Sequence, residues 1–141
     1  MNVYDLINAD YSNATSRVTV ADGCGFVVVG VDSPQYLTES DRQRNEGQAY
    51  RRAVNKGEAP KIDTDTEEGH AIFQKRLDAN LLATAVACTV DWFGFTDATG
   101  TPVPFNRDLL AAMYTKKRGW RDQVISALDE EKRFLPPPAT P

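Results

Sequence analysis

Enzymatic chemistry needs a nucleophile, a base and an orienting group brought together, and this 141-residue chain contains a single histidine, His70. His70 follows Glu67, Glu68 and Gly69, at the start of a helix where a histidine normally faces solvent or a partner. Asp63, Asp65 and Glu67 in "DTDTEEG" alternate as an EF-hand loop begins. The sixth position of that loop, however, is Glu68 where Gly is required, and the twelfth is Gln74 where a bidentate Glu belongs. These acids read instead as solvated groups at a helix N-terminus, where the helix dipole favours negative charge. The chain has no Gly-x-Ser-x-Gly elbow, Walker loop, dinucleotide fingerprint or Cys-x-x-Cys. Cys24 and Cys88 are widely separated and no secretory leader precedes them, so neither a disulfide framework nor a metal site is expected, and an intracellular origin is the default. The sequence therefore reads as non-enzymatic, with no cofactor and no metal.

Residues suited to binding are more evident. In "TKKRGWR", Lys116, Lys117, Arg118 and Arg121 gather around Trp120, a basic patch beside an aromatic ring that suits an acidic or carboxylate-rich partner. The competing explanation is that these cations complement a helix C-terminus while Trp120 fills the core. Tyr4 and Tyr36 complete the candidate partner-binding set. Arg107 and Asp108, at the mouth of "TPVPFNRDLLAAMY", read as exposed first-turn residues of a helix. A formal net charge of -4 excludes bulk nucleic-acid affinity. The apolar stretches around 26–31 and 81–90 are too short to span a bilayer, which takes about 20 residues.

The elements that must position these residues follow from local chemistry. The length suits one domain over 1–135, with a loosely structured arm at 1–15 whose Val3, Tyr4, Leu6 and Ile7 pack on the body or on a neighbour. "SRVTV" and "FVVVGV" are β-branched runs joined by "ADGCG", in which Asp22-Gly23 and Gly25 supply a tight reversal. This predicts a β-hairpin that needs cover on one face, carried by Val18, Val20, Val27 and Val29. Asp32, Ser33 and Pro34 begin a charged helix with a narrow apolar stripe. Thr64 and Glu67 have capping-box spacing for a long helix, in which Phe73, Leu77, Leu81, Ala85, Cys88 and Trp92 recur with helical period.

"GFTDATGTPVPF" suits an ordered excursion with a short hairpin. Asn106 caps the next helix, with Phe105 and Leu110 as a hydrophobic staple. Gly119 is expected to end that helix, and a last one carries Trp120, Val124 and Leu128. "PPPATP" at 136–141 reads as an extended tail. The fold class is α+β: an N-terminal β-hairpin on a bundle of about four helices, with Phe73, Leu77, Leu81, Trp92, Leu110, Trp120, Val124 and Leu128 as the core.

The C-terminal half, "VDWFGFTDATGTPVPFNRDLLAAMY" followed by "GWRDQVISALDEEKRFL", resembles a family of small proteins from tailed bacteriophages. The signature "GVDSPQY" and the series Phe105, Arg107, Trp120 and Arg121 fit the order of that family's motifs, while "MYTKKRGW" departs from its shorter, more apolar turn. The resemblance implies a virion-assembly protein without enzymatic activity, assembled in the host cytoplasm and located in the virion. Two roles follow from it: a small structural subunit bound to capsid or tail proteins, or a tail assembly chaperone that temporarily holds the tape-measure or tail-tube protein. The expected partners are such virion proteins and a second copy of the chain, with no nucleic acid and no membrane. A small host-directed inhibitor, or an enzyme with an unrecognised site, is the remaining reading from another class.

Overall fold

A computed structural model describes residues 2–135; the tail expected at 136–141 lies outside them. The chain forms helix α1 (Val3–Asn8), strands β1 (Thr15–Ala21) and β2 (Cys24–Val29), helices α2 (Pro34–Asn55) and α3 (Glu67–Cys88), strand β3 (Thr89–Phe93), helices α4 (Arg107–Lys116) and α5 (Arg118–Leu128), and a closing 3-10 turn (Glu131–Phe134). The architecture is α+β. The expected hairpin is present, reversing at Gly23 with φ +72°. Gly25 lies inside β2, where a Cβ would meet the Val18 carbonyl oxygen at 2.1 Å. Position 25 therefore stays bare because the neighbouring strand is too close.

The sheet has three antiparallel strands in the order β1-β2-β3. Its third strand replaces the predicted last turn of the long helix, and the reason lies in its register. β3 pairs Trp92 with Phe26 and Thr89 with Val28, skipping Val90 at a bulge. The bulge puts Thr89 and Trp92 on one face although they are three residues apart. In the sequence Trp92 instead falls four residues after Cys88, the i,i+4 spacing of a helix.

The core lies between this face, the last turn of α3, and the inner faces of α4 and α5: Val18, Phe26, Val28, Ala85, Cys88, Trp92, Leu110, Tyr114, Val124 and Leu128 are buried. On β2 the buried side chains include Phe26 and Val28, and Val27, expected on the covered face, is only half-buried. Phe26 is the hub, with ring centroids 4.9 Å from Tyr114, 5.4 Å from Phe95 and 6.2 Å from Trp120. Thr89 gives its hydroxyl proton to the Ala85 carbonyl at 2.7 Å, so the Tyr114 hydroxyl, 2.7 Å away, donates to Thr89. Burial pushes the Tyr114 phenol far above its usual range and the Cys88 thiol up to about 11. Both groups are thus neutral packing elements, and Cys88 is a buried apolar side chain rather than a nucleophile.

Two long-helix expectations need correction. Phe73 and Leu77 are 49% and 43% exposed and do not belong to the core, and Leu81 is only half-buried. Periodicity marks a face but not what covers it: α3 overruns the body, and its buried residues are Gly69, Ala85 and Cys88. Its cap is Thr66 rather than Thr64, the Thr66 hydroxyl oxygen accepting from the Gly69 amide at 3.0 Å. The other helix starts form as local chemistry dictates, Ser33 capping α2 and Asn106 capping α4.

Candidate partner-binding surfaces

α4 and α5 are separated by one residue, Lys117, with φ -113° and ψ 75°. The break falls two residues before the expected Gly119, which lies inside α5. It lets Tyr114, at the end of α4, and Trp120, at the start of α5, both reach Phe26. The same break splits the basic patch. Arg121 is buried, its guanidinium donating to Asp122 at 2.9 Å and lying 3.5 Å from Asp78. Arg118 donates to both oxygens of Asp78, at 3.0 and 3.1 Å. These two arginines thus tie α5 to α3, and Arg121 is no surface contact. Arg107 donates to the Val86 carbonyl at 3.0 Å, another internal tie.

Lys116 and Lys117 remain outward, and neither makes an ion pair among the described residues. They stand at the edge of an apolar groove of about 450 Å³, lined by Trp92, Phe95, Val103, Leu109, Met113 and Trp120. Lys117 Nζ lies 5.7 Å from the Trp120 ring centroid, within cation-π range. The groove's second wall is the excursion between β3 and α4. There Asp97 accepts from the Thr99 amide at 2.8 Å, the Thr99 hydroxyl at 2.6 Å and the Thr101 amide at 3.1 Å. These bonds, led by that from the Thr99 hydroxyl, hold the Asp97 carboxyl below its usual pKa. A bridge between Thr96 and Pro102, a bond from the Val103 amide to the Phe95 carbonyl at 3.0 Å, and one from the Trp92 indole to the Val103 carbonyl at 2.8 Å complete the expected short hairpin. The groove is preformed by the fold.

A second surface is the projecting pair α2 and α3. The start of α2 and the end of α3 are rooted in the body through Ser33, Tyr36, Ala85 and Cys88. Gln43 fastens the pair, donating to the Asn80 carbonyl at 3.2 Å and the Thr84 hydroxyl at 2.9 Å. Tyr50 contributes by donating to the Pro60 carbonyl and stacking under Arg76, 4.4 Å from its ring centroid. Residues 67–77 extend roughly 15 Å beyond the ties at Asp78, at 1.5 Å per residue, and there Ile72, Phe73 and Leu77 stand in solvent. Tyr36 sits at the root, half-buried against the core. α1 is the third surface. It buries no residue, and Tyr4 is 72% and Ile7 71% exposed.

The other chemical candidates stay apart. His70 is exposed in the first turn of α3. Asp63 accepts from the Asp65 amide at 3.0 Å, shaping the turn before Thr66. No group of three His, Cys, Asp or Glu side chains among the described residues is placed to hold a metal ion, and no described helix is long and apolar enough to cross a membrane. Comparisons with family models, curated proteins and solved structures find no match for this chain.

Proposed function

We propose that the chain is a non-enzymatic assembly protein of a tailed bacteriophage, a small structural subunit bound to capsid or tail proteins in the virion. The phage setting rests on the sequence resemblance. The observation that carries the binding role is the projecting pair α2 and α3, which displays Ile72, Phe73 and Leu77 to solvent on the stretch of α3 just beyond its ties at Asp78. Phe73 and Leu77 stand one helical turn apart on one face, the arrangement with which a helix enters an apolar partner surface. Three apolar side chains exposed on one short stretch of helix form a patch of the kind that marks a protein-protein contact.

The test is a double substitution, Phe73→Asp with Leu77→Asp. Both side chains are exposed, so the melting temperature is expected to stay close to that of the unaltered chain. Incorporation into particles, measured by quantitative mass spectrometry after complementation of a deletion, is expected to fall at least about tenfold, equivalent to about 1.4 kcal/mol of binding. Undiminished incorporation of the variant would remove this surface from the account.

A further inference from the structure

The chain carries both halves of a contact that it does not make with itself. One half is α1, six residues displaying Val3, Tyr4, Leu6 and Ile7 to solvent, with Asp5 and Asp10 and no lysine or arginine over residues 2–10. So short a helix is marginal in water alone and gains order by docking. The other half is the groove between Trp92 and Trp120, apolar within and edged by Lys116 and Lys117. The two halves match in character and oppose in charge.

Geometry sets them apart within one molecule. The arm enters the sheet beside Thr15, which pairs with Val29, whereas the groove adjoins Phe93, which pairs with Gly25 at the opposite end of β2. Gly25 and Val29 are four residues apart, so the sheet sets those ends roughly 13 Å from each other at about 3.3 Å per residue. The linker that would have to cross it is committed elsewhere, since Tyr11 and Ala14 lie beside Phe134 and Leu135, past the far end of α5. We propose that α1 of one copy docks in the Trp92 and Trp120 groove of a second copy, head to tail. Such a contact uses different surfaces on its two sides, so it propagates as a filament or closes as a ring. Tyr4 and Ile7 supply the apolar anchors, and Asp5 faces the paired lysines. This goes beyond the phage reading and is tested on the purified chain, so it can fail or hold independently of that reading.

The experiment is sedimentation of the full-length chain and two variants. The unaltered protein is expected to grow in mass with concentration. Tyr4→Ala with Ile7→Ala keeps the groove but loses the arm; Lys116→Glu with Lys117→Glu keeps the arm but reverses the rim. Each variant alone is expected to weaken self-association at least about tenfold, equivalent to about 1.4 kcal/mol, and an equimolar mixture is expected to form two-chain species through the one intact arm and the one intact groove. A monomeric unaltered chain, variants that associate like it, or a mixture that stays monomeric would each overturn the proposal; a monomeric chain would leave the groove to a different protein. Should a variant fail to fold, a synthetic peptide of residues 2–10 added to the unaltered chain is the second measurement. Both tryptophans of the chain line the groove, so docking is expected to change their fluorescence saturably, and an unchanged signal overturns the proposal.

Discussion

Phe26→Ala is expected to destabilise the fold by about 3–5 kcal/mol, the range for truncating a fully buried aromatic ring, while Phe73→Ala is expected to change it by less than about 0.5 kcal/mol. The contrast is the point, because both positions hold phenylalanine in regular structure and only their surroundings differ. Phe26 has no exposed surface and is shared by Tyr114, Phe95 and Trp120. Its removal leaves a cavity that three rings from three different segments would have to fill. Against a total stability of about 5–15 kcal/mol for an ordinary domain, that is a large share. Urea unfolding followed by tryptophan emission is the appropriate measurement, and the midpoint should fall with little change of slope. Equal costs at the two positions would place the core along α3, as the helical period alone suggests.

Gly94→Ala is the second large effect. Gly94 has φ +81°, and a Cβ there would stand 1.9 Å from the Gly23 carbonyl oxygen and 2.8 Å from Cys24 Cα. Gly100 offers the control, with φ +82° and nothing within 4 Å of the added carbon. Both substitutions force a side chain into the left-handed region, at roughly 1–2 kcal/mol. Only Gly94 also drives a methyl group into backbone atoms that cannot rotate away, adding about 1–3 kcal/mol. Gly94→Ala is therefore expected to cost about 2–5 kcal/mol and Gly100→Ala about 1–2 kcal/mol. Gly94 follows β3 directly and leads into the excursion that walls the groove, so its substitution should also weaken whatever the groove binds, while Gly100→Ala leaves that binding nearly intact. Similar losses from both would mean that the turn of the hairpin and the end of β3 are not in contact.

The fold was legible wherever a few neighbouring residues decide the outcome. Asp22-Gly23 gives a reversal, Ser33-Pro34 and Asn106 begin helices, and Thr99, Gly100 and Thr101 after Asp97 organise a short hairpin, all within a handful of positions. What stayed hidden depends on partners distant in the chain. β3 was masked because Trp92 falls four residues after Cys88 and so continues the helical period, although the β-branched and aromatic content of "TVDWF" was a signal that could have revealed it. The candidate site divides in the same way. Lys116, Lys117 and Trp120 could be picked out as a cluster, but Arg121 turns inward to meet Asp78 on another helix. The groove's remaining walls, Phe95 and Val103, converge only once β3 is in the sheet.

The measurement that bears most directly on the proposed assembly role is a count of this chain in purified, salt-washed phage particles, by quantitative mass spectrometry against the major capsid protein. A structural subunit bound through α2 and α3 is expected at a fixed number of copies that survives the wash. Absence from the particles, with abundance in the infected-cell lysate, would contradict that role and point to a chaperone that leaves before the particle is complete.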